Sequence, residues 1–315
     1  MAALLAIASA TTFGFADFLG GLASRRAHAL VVAALSQFAG LAVLAVVLPV
    51  AGVSATGPAL WFGAAAGLAG AGGLIFYFRA LAIGPMGVTA PLAAVVGAAI
   101  PIAVGVALGE RPGPMAVVGI GLGVVAVALA SRPAPDDHGL DPHDRPAGAV
   151  GALGDAGGDP AAALRVDVGL DTADTGDTGD GLRAGLVAAV LAGAAFGVFF
   201  VALDAAPNDG GLWPLLGARI TGIALLAGLL GRRRPAAPDA RAVGIGLVSG
   251  LLDITANVLF LLATQTGMLV LVAVLTSLYP VGVVLLARTV LGERLARLQW
   301  VGVASAVGAT ILIAL

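Results

Sequence analysis

The tetrapeptide Leu-Gly-Glu-Arg occurs at Leu108-Gly109-Glu110-Arg111 and again at Leu291-Gly292-Glu293-Arg294, 183 residues further along a chain of 315 residues. These two copies hold both glutamates of the sequence. The same offset continues outward without a gap and pairs identical residues at Phe13/Phe196, Gly67/Gly250, Leu92/Leu275 and Gly119/Gly302. Residues 1–132 and 184–315 are therefore interpreted as two copies of one 132-residue unit. Internal repeats in strongly apolar chains are typical of membrane transporters.

The composition indicates an all-α polytopic membrane protein. Hydrophobic residues make up 59% of the chain, charged residues make up 11%, and the mean hydropathy is +1.04. A soluble domain carries about twice that charge. The apolar stretches are continuous rather than alternating and about twenty residues long, which favours bilayer-spanning helices over barrel strands. Ten such helices are predicted, five per repeat, at 2–22, 29–49, 59–79, 86–108, 114–131, 184–203, 212–230, 242–262, 268–288 and 297–315.

The odd number of helices in each repeat has a topological consequence. After five crossings the second repeat must enter the membrane from the opposite side, so the two units form an inverted repeat. Such pairs commonly enclose a central site with two symmetry-related gates, and rocking one bundle against the other exposes that site to each side in turn. This architecture favours transport over catalysis.

Residues 133–183 differ in composition from both repeats. They contain eleven aspartates together with many glycines and prolines, and they show no apolar periodicity. Such a composition is typical of a disordered linker. Asp171, Asp174, Asp177 and Asp180 stand three residues apart. A calcium-binding EF-hand loop needs alternating acidic ligands and a terminal glutamate, and that pattern is missing.

The remaining composition excludes several classes of site. The chain has no cysteine, so disulfides and thiolate sites are excluded, and its three histidines fall in predicted loops. A net charge of −2 without a basic patch excludes a nucleic-acid partner. No P-loop or His-Glu-x-x-His pattern is found, so no catalytic residue, cofactor or metal is expected. The expected partners are a small-molecule substrate and the lipid bilayer, with a homodimer as an open alternative.

Charged side chains inside the predicted helices are the strongest candidates for a site, because a charge within a membrane is costly. Asp253 lies in the middle of helix 242–262, and Asn257 follows one turn later on the same face. Arg219, midway along helix 212–230, is the natural counter-charge. An Asp253–Arg219 pair could line a substrate cavity or be purely structural, and the sequence leaves both interpretations open.

The other candidates carry weaker signals. Asp17 lies inside the first helix, where it is either functional or an interfacial charge paired with Arg25 or Arg26. Uncharged polar residues within helices can contact substrate or tie helices together. These residues are Gln37, Tyr77, Thr255 and Tyr279. The motif residues Glu110, Arg111, Glu293 and Arg294 are expected to be architectural, with each glutamate starting or capping the following helix and pairing with an arginine near the interface.

A family resemblance extends over essentially the whole chain. It rests on Ala80-Leu81 through Pro91-Leu92, both Leu-Gly-Glu-Arg motifs, Leu278-Tyr279-Pro280 and Gln299-Trp300-Val301-Gly302. The chain resembles the EamA-type branch of the drug/metabolite transporter superfamily. The resemblance implies a ten-helix carrier of small metabolites in the cytoplasmic membrane, often an exporter, and does not imply a substrate. One departure is Gly97, which stands where the second repeat has Pro280, so the two halves would gate differently if Pro280 breaks its helix.

These observations favour a secondary transporter that moves a small organic metabolite or drug by alternating access. Proton coupling through Asp253 or Asp17 is the expected drive, because a carboxylate can become neutral in a low-dielectric cavity. The alternative is a receptor or scaffold that transports nothing and uses the acidic linker to bind a partner.

The arginines predict an orientation. Twelve of them border loops on the side of the linker and one, Arg111, borders the other side. The positive-inside rule therefore places the linker in the cytoplasm and both termini outside. The family resemblance implies the reverse orientation.

We predict from the arginine count that a reporter active only outside the cell works when fused after Leu315. The same reporter inserted within residues 133–183 should be inactive and serves as the matched control. Activity of a cytoplasmic reporter at Leu315 would show that the orientation is the reverse.

Overall fold

The structure is a computed structural model that describes residues 1–51, 56–83, 86–130, 178–291 and 297–314. Within these ranges the chain forms helices joined by short connections, and it contains no strand. The helices are α1 Ala2–Ser24, α2 Ala29–Ala51, α3 Gly57–Ile83, α4 Met86–Ala107, α5 Pro114–Ala130, α6 Thr178–Asp204, α7 Trp213–Arg233, α8 Ala240–Thr264, α9 Leu269–Thr276, α10 Tyr279–Leu291 and α11 Arg297–Ala314. A single 3-10 turn, Asn208–Gly210, precedes α7.

The helical, membrane-spanning character that the sequence predicts is confirmed. Among the described residues, eight helical stretches are long and apolar enough to cross a bilayer, with α9 and α10 together forming one of them. Most helix ends lie within a few residues of the predicted positions. The main difference is α6, which begins at Thr178 and so includes residues that the composition assigned to the linker. The rest of the predicted linker lies outside the described residues.

The segment predicted as one helix at 268–288 is broken in the middle. Helix α9 ends at Thr276, Ser277 and Leu278 form a turn, and α10 begins at Tyr279. Pro280 explains the position of the break: it has no N–H to bond the Thr276 carbonyl, and its ring would clash with that carbonyl in a continuous helix. The chain therefore has a short hydrogen-bonded turn in the middle of a membrane-spanning stretch.

Helix α4 provides the contrast in the first half of the chain. It runs without a break through Gly97, the position equivalent to Pro280, although it contains Pro91 and Pro101. Proline alone therefore does not end a helix in this bundle. The two halves differ at the Gly97/Pro280 position that the sequence comparison identified.

The helices pack mainly between the two halves of the chain rather than within them. Helix α1 lies along α8, and α3 lies along both α6 and α7. Helix α2 packs on α7 and α8, α4 packs on α6, and α5 packs on α11. Hydrogen bonds fix the register of α1 on α8, since Ser9 Oγ donates to the Ala256 carbonyl at 2.8 Å and Ser249 Oγ donates to the Ala16 carbonyl at 2.7 Å. The core is therefore shared by both halves.

The crossing of α2 and α8 depends on a glycine. A Cβ added at Gly250 would lie 2.5 Å from both the Cα and the carbonyl oxygen of Ser36, and 2.9 Å from the Cβ of Ala39. These neighbours are backbone or short side chains, so they cannot rotate away. Only glycine lets the helices approach this closely, which is the usual way that membrane helices gain packing energy in lipid.

Helix α2 begins with a histidine cap. The Nδ1 of His28 accepts the Leu30 N–H at 3.1 Å, which requires that nitrogen to be unprotonated. Burial and the nearby arginines Arg233 and Arg79 lower the pKa of His28, so the neutral form that can act as a cap is favoured. Arg79 lies near the end of α3 and Arg233 is the last residue of α7, so both helix ends lie near the α1–α2 connection on one side of the bundle.

Glu110 lies between α4 and α5 but does not cap α5. Its two carboxylate oxygens accept the N–H groups of Leu269 at 2.7 Å and Val270 at 2.8 Å, which are the first residues of α9. A carboxylate there satisfies two unpaired donors and complements the positive end of the helix dipole. The expectation that Glu110 caps the following helix is therefore wrong, because tertiary packing brings a helix from the other half of the chain to it.

We predict that Gly250→Ala lowers the free energy of unfolding by about 1–3 kcal/mol, the usual cost of overpacking. The matched control is Gly244→Ala on the same helix, because a Cβ at Gly244 meets nothing within 4 Å. Thermal unfolding of both variants in detergent measures the difference. An equal loss of stability in the two variants would mean that the close approach of α2 and α8 at Gly250 does not determine the free energy of unfolding.

Candidate functional site

A cavity lies between the two halves of the chain. The empty space between the helices is about 940 Å³, including the part that is open to solvent, whereas the centres of water molecules can occupy about 60 Å³ of it. The cavity is thus narrow, with room for several waters or a slender small molecule. Helices α1, α2, α3, α4, α6, α7, α8 and α9 contribute lining residues, together with the turn before α10 and the first residue of α10.

The centre of the site is a buried ion pair. The Nη2 of Arg219 donates to Asp253 Oδ2 at 2.6 Å, and its Nη1 donates to the side-chain oxygen of Gln37. Arg219 is 5% exposed, Asp253 is 8% exposed and Gln37 is 4% exposed. Three helices, α2, α7 and α8, therefore meet through one guanidinium. Each charge is tolerated in the membrane because it faces the bundle interior and has a partner.

Two glycines make room for this group of side chains. A Cβ at Gly40 would lie 2.8 Å from Arg219 Nε, and a Cβ at Gly222 would lie 2.5 Å from Gln37 Nε2. The guanidinium therefore lies flat against the backbone of α2, and the amide lies against the backbone of α7. Their positions are fixed by close packing as well as by hydrogen bonds.

Several buried polar atoms that line the cavity have no hydrogen-bond partner. Asn257 donates its Nδ2 to the Asp253 carbonyl at 2.8 Å, which leaves Oδ1 as an unpaired acceptor. The hydroxyl oxygens of Ser36 and Thr276 are also buried and unpaired. All three residues line the cavity. Buried polar atoms normally have partners, so these atoms are positioned for water or a bound molecule.

The second carboxylate, Asp17 on α1, has a different environment. Its Oδ2 accepts the Tyr77 hydroxyl at 3.1 Å. No ion pair to Asp17 is found within the described ranges. The side chain is half-buried and lines the cavity. Asp17 is therefore not the interfacial partner of Arg25 or Arg26 that the sequence allowed.

Aromatic rings form much of the remaining wall. Both tyrosines of the chain and several phenylalanines are clustered here, with Tyr77 packing edge-on against Tyr279 at 6.3 Å and against Phe196 at 5.5 Å between ring centroids. The aromatic residues that line the cavity itself are Phe13, Phe78, Phe196, Phe199, Phe200 and Tyr279. The cavity thus combines an apolar wall with a small number of placed polar groups, as small-molecule sites do.

Most candidates from the sequence meet in this cavity. Those that line it are Asp17, Gln37, Arg219, Asp253, Asn257 and Tyr279. Tyr77 reaches the site through Asp17, whereas Thr255 is exposed and its hydroxyl donates to the Leu251 carbonyl of its own helix at 2.8 Å. Among the motif residues, Arg111 is exposed, and Glu293 and Arg294 lie outside the described residues.

The residues that sequence reasoning missed could have been found from the repeat. Subtracting 183 from Arg219, Asp253 and Asn257 gives Ser36, Gly70 and Leu74, and adding 183 to Asp17 gives Phe200. All four counterparts line the cavity. Corresponding positions of the two halves therefore face the same space, while each charged group has an uncharged counterpart.

Comparisons with known proteins concern the family and the fold of the chain. A sequence model described as the EamA-like transporter family matches residues 1–132 and 183–315. Thirteen chains of solved structures match significantly. One of them, a crystal structure, shares 22% identity over 98% of this chain and 98% of its own, with a TM-score of 0.61, and this likeness concerns the fold alone. No curated protein sequence matches significantly. Since the family model covers both halves, the chain belongs to the EamA-like transporter family.

Proposed function

We propose that this protein is a secondary transporter that exports a small organic metabolite or drug across the cytoplasmic membrane by alternating access. The observation that carries the proposal is the cavity between the two halves, with an ion pair and unpaired polar atoms deep inside a helical membrane bundle. Charged groups in such a position are expensive, and they usually mark a substrate or ion pathway.

The arrangement of helices supports alternating access. Two inverted five-helix repeats, residues 1–132 and 184–315, would place one shared cavity on the pseudo-twofold axis, where rocking can open it to either side. Family matches to both halves and the reciprocal packing of α1 on α8 and α3 on α6 support the repeat. The break between α9 and α10 places a turn residue, Ser277, beside the cavity, and interrupted helices are a feature of transporter sites.

Proton coupling is the proposed drive. The cavity holds two carboxylates, Asp17 and Asp253, and only one arginine within the described residues lines it. A carboxylate that faces a low-dielectric cavity can take up a proton on one side of the membrane and release it on the other. Asp17 or Asp253 would carry that proton.

We predict that one compound changes its ratio between medium and cytoplasm in step with gene dose, when deleted, intact and overexpressing cells are compared by metabolite profiling. Overexpressed Asp253→Asn should abolish the change, because it removes the counter-charge of Arg219. Membrane abundance of the variant is measured in parallel, since breaking a buried pair costs about 3–5 kcal/mol of stability. No dose-dependent compound over a broad panel would favour a receptor or scaffold instead.

We further predict that flux of that compound in proteoliposomes follows an imposed pH gradient. In the control, a membrane potential of the same driving force is applied without a pH difference. Comparing the two fluxes separates a response to the proton gradient from a response to the movement of charge. Substrate-dependent flux that ignores the pH gradient would refute proton coupling while leaving transport in place.

A further inference from the structure

We propose that the substrate of this cavity is an organic cation with an aromatic or apolar body, and that Asp17 is the group that binds its charge. This inference rests on the proposed transport function and narrows it to one chemical class. It follows from the charges, the aromatic wall and the hydrogen-bonding capacity of the cavity, which are considered in turn.

The charges that line the cavity do not balance. Asp17 and Asp253 contribute two negative charges, and Arg219 contributes one positive charge. Arg219 pairs with Asp253 at 2.6 Å, so that carboxylate is already compensated. Asp17 is the remaining carboxylate, and its one described partner is the neutral Tyr77 hydroxyl. When Asp17 is ionised, its charge is neutralised either by the proton of the proposed coupling or by a cation in the cavity.

The helix register keeps Asp17 away from the ion pair. Ser249 bonds to the carbonyl of Ala16, and Asp253 is four residues further along α8, in the direction that leads away from Asp17. At 1.5 Å per residue, the backbone positions of Asp17 and Asp253 stand roughly 7 Å apart along the helix axes. The guanidinium of Arg219 also has Gln37 as a second partner, on the α2 side. Asp17 is therefore available to a ligand.

The wall of the cavity suits the body of such a cation. Phe13, Phe78 and Phe196 line it with Tyr279, and Phe13 packs on Tyr279 with ring centroids 6.3 Å apart. The negative faces of aromatic rings attract ammonium groups, and the attraction grows when water is excluded. An aromatic or aliphatic body would also gain from burial against the same rings.

The unpaired polar atoms of the cavity can all accept hydrogen bonds, which suits a ligand that donates them. Asn257 Oδ1 can only accept a hydrogen bond, and the hydroxyls of Ser36 and Thr276 can accept as well as donate. In contrast, an anionic substrate would need the guanidinium of Arg219, which already bonds Asp253 and Gln37. The unpaired hydrogen-bond acceptors in the cavity thus favour a ligand that donates hydrogen bonds.

Binding to the purified full-length protein tests the proposal directly. Three probes of similar size share a phenyl ring and differ in the polar group: 2-phenylethylamine is a cation near neutral pH, 2-phenylethanol is neutral, and phenylacetate is an anion. Equilibrium dialysis in detergent at pH 7 gives their affinities. We expect the amine to bind about tenfold or more tightly than the alcohol, and phenylacetate to bind most weakly.

Asp17→Asn is the decisive variant, because it removes the charge and preserves the size of the side chain. It should reduce the preference for the amine over the alcohol to within about twofold. The matched control is Asp209→Asn, which removes the same charge from an exposed residue that does not line the cavity. This control should retain the preference of the original protein. Thermal unfolding confirms that both variants are folded.

The possible results separate this inference from the proposed function. Equal or tighter binding of phenylethanol or phenylacetate by the unaltered protein would overturn the cation assignment, whether or not Asp17→Asn folds. An amine preference that survives in folded Asp17→Asn would overturn the role of Asp17. If proteoliposomes transport a neutral or anionic compound, the transport function stands and the substrate class is wrong. If the amine binds at Asp17 but no compound is moved, the proposed transport is wrong.

Discussion

The arrangement of helices at the centre of the bundle depends on one buried ion pair. Arg219 and Asp253 come from neighbouring helices of the second half of the chain, and Gln37 joins them from the first half. Neither charge is stable alone in a membrane interior, so each helix is held where it can supply a partner. Gly40 and Gly222 leave room for these side chains, because a larger side chain at either position would displace the guanidinium or the amide. The pair therefore constrains helix rotation, helix separation and the shape of the cavity together.

The two carboxylates of the cavity show how environment separates the roles of identical groups. Asp253 is compensated by an arginine and is 8% exposed. Asp17 is held by a neutral hydroxyl beside aromatic rings, and it remains accessible from the cavity. The ion pair thus shapes the space, whereas Asp17 has no counter-ion among the described residues.

Much of this was accessible from the sequence, because burying a charge in a membrane is so costly that Asp253 and Arg219 had to be either paired or functional. Helix ends were also predictable from the length of the apolar stretches. What escaped prediction depends on rotation and packing between distant helices. Asp17 turns toward Tyr77 on α3 rather than toward the arginines that follow it in sequence. Glu110 caps a helix about half the chain away, which no local pattern could reveal.

The packing of helices between the halves has a consequence for biosynthesis. The main neighbours of α1 and α3 are α8, α6 and α7, all of which leave the ribosome after the long acidic segment between the halves. Until then the faces of α1 and α3 that pack on the second half are without those partners, and Gln37 on α2 is without Arg219. Final assembly must therefore follow the synthesis of α8. Membrane quality-control factors would recognise the protein most readily before that point, when only its first half has been synthesised.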